Sequence, residues 1–487
     1  MPRWLILTLL IFISSIAAVR TLSWNDLEYD EAEQLALVQS LQWYYFYQPP
    51  LYTWLLWPLV KLFGPTVYPL IIIRCLLFPA IFFMMYRIAI RVCQHETLAG
   101  LFSLSVAIVP EIFHGLMGMW PHTTLMAFFC LCLLLIVMRL HEKKDWLNYS
   151  LLGICVGLGL LSKYNFLHFG GALALALLLL PGWRGILINN KIFLAVLLAS
   201  LIVLPHAWEM YRNLDEVRYG MVRYTLDKQT QFSSFGASFK HIATNLFQNL
   251  ARSNGFLLLP LLLLFLPAWK TTRRESDEPI PGFHQLLINL YMVAAILLAL
   301  AMIIGGIHHI RQHWLTIFAM LLPLFFAGRI DPAKMLPWQW RGYRTLIVFV
   351  LSGLICWRLG LVYFKGEAGC LSIYSFLHAK HAMQLEASQW DQRYTITDSA
   401  HAAGLIRLHF PQTQVHCIYM PSLPFSWTKN QPLLLTGWSE QPDQFRKRLV
   451  QYVEQQLGLK PESFKPPFMI TEIDNSSVKV LSKVVSE

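Results

Sequence analysis

The chain has 487 residues, of which 56% are hydrophobic and only 14% charged, whereas soluble domains carry about a quarter charged residues; an ordinary soluble globular protein is excluded. Its formal net charge of +11 sits on basic residues scattered singly at the ends of apolar segments, and without a basic stripe nucleic acid is excluded as a partner. From Lys365 onward there are 12 Lys and Arg against 11 Asp and Glu, so the positive excess belongs to residues 1–364, where it can orient membrane helices.

Apolar runs near the ~20 residues needed to cross a bilayer predict spans at about 4–22, 66–92, 97–113, 118–139, 147–163, 166–181, 191–208, 253–268, 285–305, 314–328 and 344–364. The first run also has the short apolar core of a cleavable signal peptide, but the later spans orient well with it retained. With the N-terminus inside, every short inside loop is basic: Arg3, Arg87 and Arg91, Arg139 with Lys143 and Lys144, Arg184 and Lys191, Lys270 with Arg273 and Arg274, and Arg329 with Lys334, Arg341 and Arg344. The first outside loop instead holds Asp26, Glu28, Asp30, Glu31 and Glu33, as the positive-inside rule allows. An odd number of crossings then places the C-terminal end outside.

The predicted fold is therefore an α-helical polytopic membrane domain over residues 1–364, with about 11 transmembrane helices and outer loops at 23–65 and 209–252. Residues 209–252 mix arginines with aromatics and predict helices lying in the outer interface. Over residues 365–487 the composition turns to Pro, Gln, Asp and Lys, with short apolar runs at Val415–Met420 and Pro432–Thr436 and a helical pattern over 444–457. These predict a small extracytoplasmic α/β domain. Six of the eight cysteines lie in or beside apolar segments and behave as small hydrophobes; Cys370 and Cys417 in the polar tail could pair or stay reduced. Gly153 and Gly157 have the spacing of a helix-packing motif.

Several residues do not belong in lipid. The first outside loop reads Leu27-Glu28-Tyr29-Asp30-Glu31-Ala32-Glu33-Gln34, followed by Tyr44-Tyr45-Phe46-Tyr47-Gln48-Pro49-Pro50-Leu51-Tyr52. A carboxylate pair beside a proline-stiffened aromatic stretch suits the activation of a hydroxyl acceptor under a lipid-linked substrate; a solvated acidic loop has the same composition. Arg74, near the outer end of the second span, must face protein or water because a charge at that depth costs several kcal/mol. Binding a phosphate, pairing with Asp30 or Glu31, and snorkelling all remain open. Lys163 sits at the outer turn between the fifth and sixth spans, where a lysine also serves as a membrane anchor. The loop Gly305-Gly306-Ile307-His308-His309-Ile310-Arg311-Gln312-His313-Trp314 could clamp a phosphate through Arg311 or hold a divalent metal through its imidazoles. No cofactor other than that metal is suggested.

Asp-Glu after the first span, followed some twenty residues on by Pro-Pro-Leu-Tyr, resembles the GT-C fold lipid-dependent glycosyltransferases of family 39, which include protein O-mannosyltransferases and the aminoarabinose transferases acting on lipid A. The resemblance covers most of the chain, although its strongest local match is confined to residues 29–52, where Gln48 replaces the family's usual His. It implies that Asp30 is the catalytic general base and that Glu31 completes the pair, with Tyr29, Gln48 and Tyr52 lining the acceptor side. It further implies that Lys163, in Gly157-Leu158-Gly159-Leu160-Leu161-Ser162-Lys163, meets the donor phosphate, with Arg74 and Arg311 as further phosphate ligands and His309 beside them. Relatives present an Asp at the outer start of the fourth span, whereas this chain has Trp120-Pro121-His122-Thr123. His122 takes a changed acceptor role, or Glu111 and His114 substitute for the missing acid.

The resemblance implies an enzyme, a hexosyl- or pentosyltransferase. It would move a sugar from a polyprenyl-phosphate donor to a lipid, glycan or protein acceptor outside a bacterial inner or plasma membrane, with inversion at the anomeric carbon. A transporter or flippase for a lipid-linked or anionic substrate is the rival, and it would need ionisable pairs near mid-helix and repeat symmetry. A non-catalytic scaffold is the third reading.

Overall fold

The computed structural model describes residues 2–22, 27–46, 48–109, 111–112, 115, 120–218, 244, 248, 261, 278–305, 311–327, 330, 332–364, 394–397, 399–418, 420, 433–438, 451–452, 455, 469–473 and 483–484. The chain forms two compact units, one of residues 1–16, 47–52 and 74–356, the other of residues 17–46, 53–73 and 357–487.

The apolar runs become helices. In order they are α1 (Arg3–Leu22), α2 (Tyr29–Leu37), α3 (Leu51–Phe63), α4 (Val67–Cys93), α5 (Glu96–Ser105), α6 (Pro121–Glu142), α7 (Trp146–Ser162), α8 (Phe166–Leu179), α9 (Ile192–Arg212), α10 (Phe283–Gly305), α11 (Thr316–Ala327) and α12 (Pro337–Phe364). Five of these, α1, α4, α6, α9 and α10, are long and apolar enough to cross a membrane, and shorter apolar helices of 10–17 residues accompany them among the described residues. Ten of the predicted spans fall on these helices, α5 being continued by a 3-10 turn at Val106–Ile108. The eleventh, at 253–268, lies outside the described residues apart from helical Leu261, as does most of the interfacial stretch 209–252. The loop predicted at 23–65 folds into the short helices α2 and α3.

The first unit is held by one continuous apolar core drawn from α1 and α4 through α12, with Phe78, Phe82, Phe102, Tyr149, Phe166 and Trp183 at its centre. α7 packs on both α6 and α9. The α7–α9 approach is set by glycine: a Cβ at Gly153 would meet the Ala195 backbone, with Cα at 2.8 Å, and one at Gly157 would lie 2.9 Å from Ile202 Cβ. Small residues let helix backbones come together where lipid supplies no hydrophobic drive.

In the second unit, β1 (Tyr394–Thr397), α13 (Ala400–His409), β2 (Gln414–Cys417), β3 (Leu433–Trp438), β4 (Met469–Ile473) and β5 (Lys483–Val484) follow α12. The sheet order is β2-β1-β3-β4-β5; β1 runs parallel to β2 and β3, β3 parallel to β4, and β5 antiparallel to β4. The predicted strands at Val415–Met420 and Pro432–Thr436 correspond to β2 and β3. Cys417 is buried in β2, while Cys370 lies outside the described residues. Ser399 caps α13 by accepting the Ala402 N–H at 3.3 Å, the service a serine gives at an N-cap.

Candidate active site

Within the second unit the acidic loop becomes the first turns of α2. Glu31, third in the helix, accepts the Glu28 N–H at 2.8 Å, half of a capping-box arrangement. Its two carboxylate oxygens face two nitrogens of Arg20, at 2.5 and 3.4 Å, and both side chains are buried. Glu31 is thus committed to a fork-shaped ion pair that anchors α2 to the end of α1. Asp30, one residue earlier, is half-buried and Tyr29 is exposed. One turn on, Glu33 is buried, and its Oε1 has no hydrogen-bond partner among the described residues. Burial, and secondarily the Asp30 charge, push its carboxyl well above the usual carboxylate range. Gln34 accepts from the Thr53 hydroxyl at 2.8 Å, which ties α2 to α3.

The first unit holds the cationic residues. Lys163 ends α7 in an extended conformation, and its Nζ donates to Thr123 Oγ1 at 2.5 Å, in the first turn of α6. Beside it the buried His122 places Nδ1 3.1 Å from the Ser162 carbonyl. A carbonyl can only accept, so Nδ1 carries the hydrogen and Nε2 is left as an acceptor. The Tyr52 ring lies 5.6 Å from that imidazole, and Tyr52 is itself buried. α6 begins at Trp120, held in the left-handed region at φ 54, an uncommon conformation for a bulky residue that marks functional turns more often than ordinary ones. The Trp120 ring lies 5.6 Å from the His313 ring, tilted by 35°. Burial first, then the charges of Lys163 and Arg311, push His313 down to about 2. Arg311 and Lys163 therefore both act on one imidazole beside a helix N-terminus, whose free N–H groups and dipole also favour an anion.

Of the residues named from the sequence, the structure brings together Lys163, His122 and Tyr52, with Arg311 close enough to bear on the same cluster. Arg74 is buried in α4 and Gln48 is half-buried; Glu111 is buried, while His114, His308 and His309 lie outside the described residues. Among the described residues no group of three His, Cys, Asp or Glu side chains could hold a metal ion. Sequence reasoning missed Thr123 as the partner of Lys163, His313 as the neighbour of Trp120, and Arg20. The Arg20 signal was available, since an arginine in the last turn of the first span needs an acid.

Residues 47–208 match the family model described as dolichyl-phosphate-mannose-protein mannosyltransferase. Over this stretch, less than half of its length, the chain is similar to that family. It is 27% identical over 80% of its length, and 77% of the relative's, to the lipopolysaccharide core galacturonosyltransferase RgtA of Rhizobium johnstonii. It is 25% identical to RgtB of the same organism, over 89% of this chain and 86% of that one. Its fold is that of the crystal structure of ArnT from Cupriavidus metallidurans bound to undecaprenyl phosphate, with a TM-score of 0.58 at 13% identity, covering 96% of this chain and 93% of the other. Its homologues are thus GT-C membrane glycosyltransferases, and the GT-C architecture expected from the Asp-Glu and Pro-Pro-Leu-Tyr elements holds.

Proposed function

We propose that this GT-C protein transfers a sugar from a polyprenyl-phosphate carrier to an acceptor on the extracytoplasmic side of the membrane, and that the sugar is a uronic acid. In the reaction an acceptor hydroxyl attacks the anomeric carbon, the bond from that carbon to the phosphate oxygen breaks, and the configuration inverts. Asp30 takes the hydroxyl proton: an alcohol far too weakly acidic to ionise at neutral pH needs a base within hydrogen-bond reach as it attacks. The phosphate leaves with its charge held by Lys163 and Arg311, fixed cations placed where negative charge develops.

The observation that carries this reading is Lys163 Nζ held on Thr123 in the first turn of α6, with the Trp120 ring that precedes that turn 5.6 Å from His313, two residues after Arg311. Two cations, neutral imidazoles and a helix N-terminus suit a donor that brings a phosphate, and a carboxylate on its sugar adds to the same demand. The two curated relatives are galacturonosyltransferases by name, and the solved relative was crystallised with undecaprenyl phosphate.

The test is incorporation of labelled galacturonate from its polyprenyl-phosphate carrier by membranes containing the wild-type protein or Asp30→Asn. Wild-type membranes incorporate label, and the variant, present at equal abundance, loses activity by a factor of about 100 or more, the scale of a removed general base. Full activity in a well-folded Asp30→Asn protein refutes the base. Transfer of an uncharged or amino sugar in preference to galacturonate refutes the uronate.

A further inference from the structure

Within the second unit, the C-terminal segment does more than follow the membrane helices. α13 lies against α2, the helix that carries Asp30. The approach is as close as backbones permit: a Cβ at Gly404 would fall inside the Ala32 peptide group, so only glycine fits there. One turn earlier on α13, the buried His401 places Nε2 3.1 Å from the Leu27 carbonyl, at the entry of α2. Since the carbonyl accepts, that nitrogen is the donor, and the ring lies 5.9 Å from Tyr29. At the far end of α2, Gln39 is bonded twice to β2, donating to the Val415 carbonyl and accepting the Val415 N–H, both at 2.9 Å. α13 is buried on nearly all its residues because β1 and β2 cover one side and α2 the other.

The three contacts bracket Asp30. Leu27 is held before it, Ala32 just after it, and Gln39 beyond the end of the helix, while Arg20 grips Glu31 next to it. A nine-residue helix is marginal by itself in water, and its acid can be placed only by what packs on it. We propose that α13 is a splint for α2, and that His401 and Gly404 are positioning residues for the transfer reaction: the C-terminal α/β domain is a working part of the catalytic apparatus. The proposal rests on Asp30 as the base. It predicts that loosening the splint slows chemistry while leaving the donor's cationic site untouched, because a misplacement of about 1 Å in a reacting group can cost about 100-fold.

The experiment uses the full-length protein in detergent or proteoliposomes, with galacturonate transfer measured over a range of donor concentrations. His401→Leu removes the donor to Leu27, His401→Gln keeps an N–H in reach, and Gly404→Ala adds the methyl that the Ala32 backbone refuses. His401→Leu and Gly404→Ala are expected to lower kcat by at least about 10-fold with donor KM within about 2-fold of wild type, and His401→Gln to recover most of the loss. Hydrogen exchange of the 28–37 amides, read without any turnover, is expected to quicken in the two impaired variants. Wild-type kcat and unchanged exchange in Gly404→Ala and His401→Leu, with Asp30→Asn inactive, overturn the splint but not the base. An active Asp30→Asn overturns the base, and the exchange measurement then decides the splint alone. If Gly404→Ala fails to accumulate, His401→Leu against His401→Gln carries the decision.

Discussion

Glu31 and Glu33 stand two positions apart in one acidic run, and the fold treats them in opposite ways. Glu31 meets Arg20 and a backbone N–H as a strut; Glu33 goes into the interior with an oxygen that finds no partner among the described residues. The consequence for stability has a definite sign. With the folded-state pKa of Glu33 raised above its ordinary value of 4.5, the folded chain keeps a proton that the unfolded chain releases as pH rises. Stability therefore falls from about pH 4.5 upward through the raised value, and the loss persists above it. Glu33→Gln has no proton to lose, so it is expected to gain thermal stability relative to wild type on going from about pH 5 to about pH 8. Unfolding temperatures in detergent at the two pH values check this, and parallel shifts in both proteins would contradict the assignment. Arg20 at the end of the first span called for an acid, but which acid answers it was not legible in the sequence. Composition marks the run as acidic, but which acid is paired depends on Arg20, eleven residues away on another helix. The expectations for Asp30 and Lys163 rested on short patterns of neighbours.

At the scale of elements, the hydrophobic runs were read well because a helix in lipid must satisfy its own backbone and be apolar along its length, which leaves a strong trace. The helices α2, α3 and α13 left little. α2 is a nine-residue acidic helix, α3 is apolar but only 13 residues long with Pro58 inside, and α13 is rich in small residues within a polar tail. The helical pattern expected at 444–457 falls mostly outside the described residues; Gln451, Tyr452 and Gln455, which are described, are helical. The Gly153 and Gly157 spacing was legible because such packing depends on small residues at that interval, and the structure supplies the partner, α9. It also supplies a control. In α8, a Cβ at Gly171 meets nothing within 4 Å. Alanine is the better helix former by about 1 kcal/mol, so Gly171→Ala is expected to be neutral or stabilising. Gly153→Ala, whose methyl would strike the Ala195 backbone, is expected to cost about 1–3 kcal/mol, the usual penalty of overpacking. The ordering of the two unfolding temperatures is the readout; a Gly153→Ala protein as stable as Gly171→Ala would mean that α7 and α9 part freely.

For the whole molecule, the side of the membrane on which the C-terminal domain lies turns on parity. Ten predicted spans coincide with helices, and the remaining run, 253–268, decides whether the count is odd. Charge supplies the argument that it crosses. Lys191, at the start of α9, and Lys270, Arg273 and Arg274, before α10, are basic flanks of the kind retained inside. With those flanks inside, the expected path takes α9 outward and returns the chain between Arg212 and Lys270, where 253–268 is an apolar run of about the length a crossing needs. On that expectation α10, α11 and α12 alternate, with Arg329 and Lys334 between α11 and α12 inside and the sheet domain outside. The expected result of topology mapping is a reporter fused after Glu487 that is active only outside and one fused before Met1 that is active only inside. A reporter inserted after Arg274, truncating the chain there, should be active inside. Both terminal reporters on one face would remove 253–268 from the membrane. That result would also put the β-sheet and α13 in the cytoplasm together with the helix they brace, and an outward-facing Asp30 could not survive it.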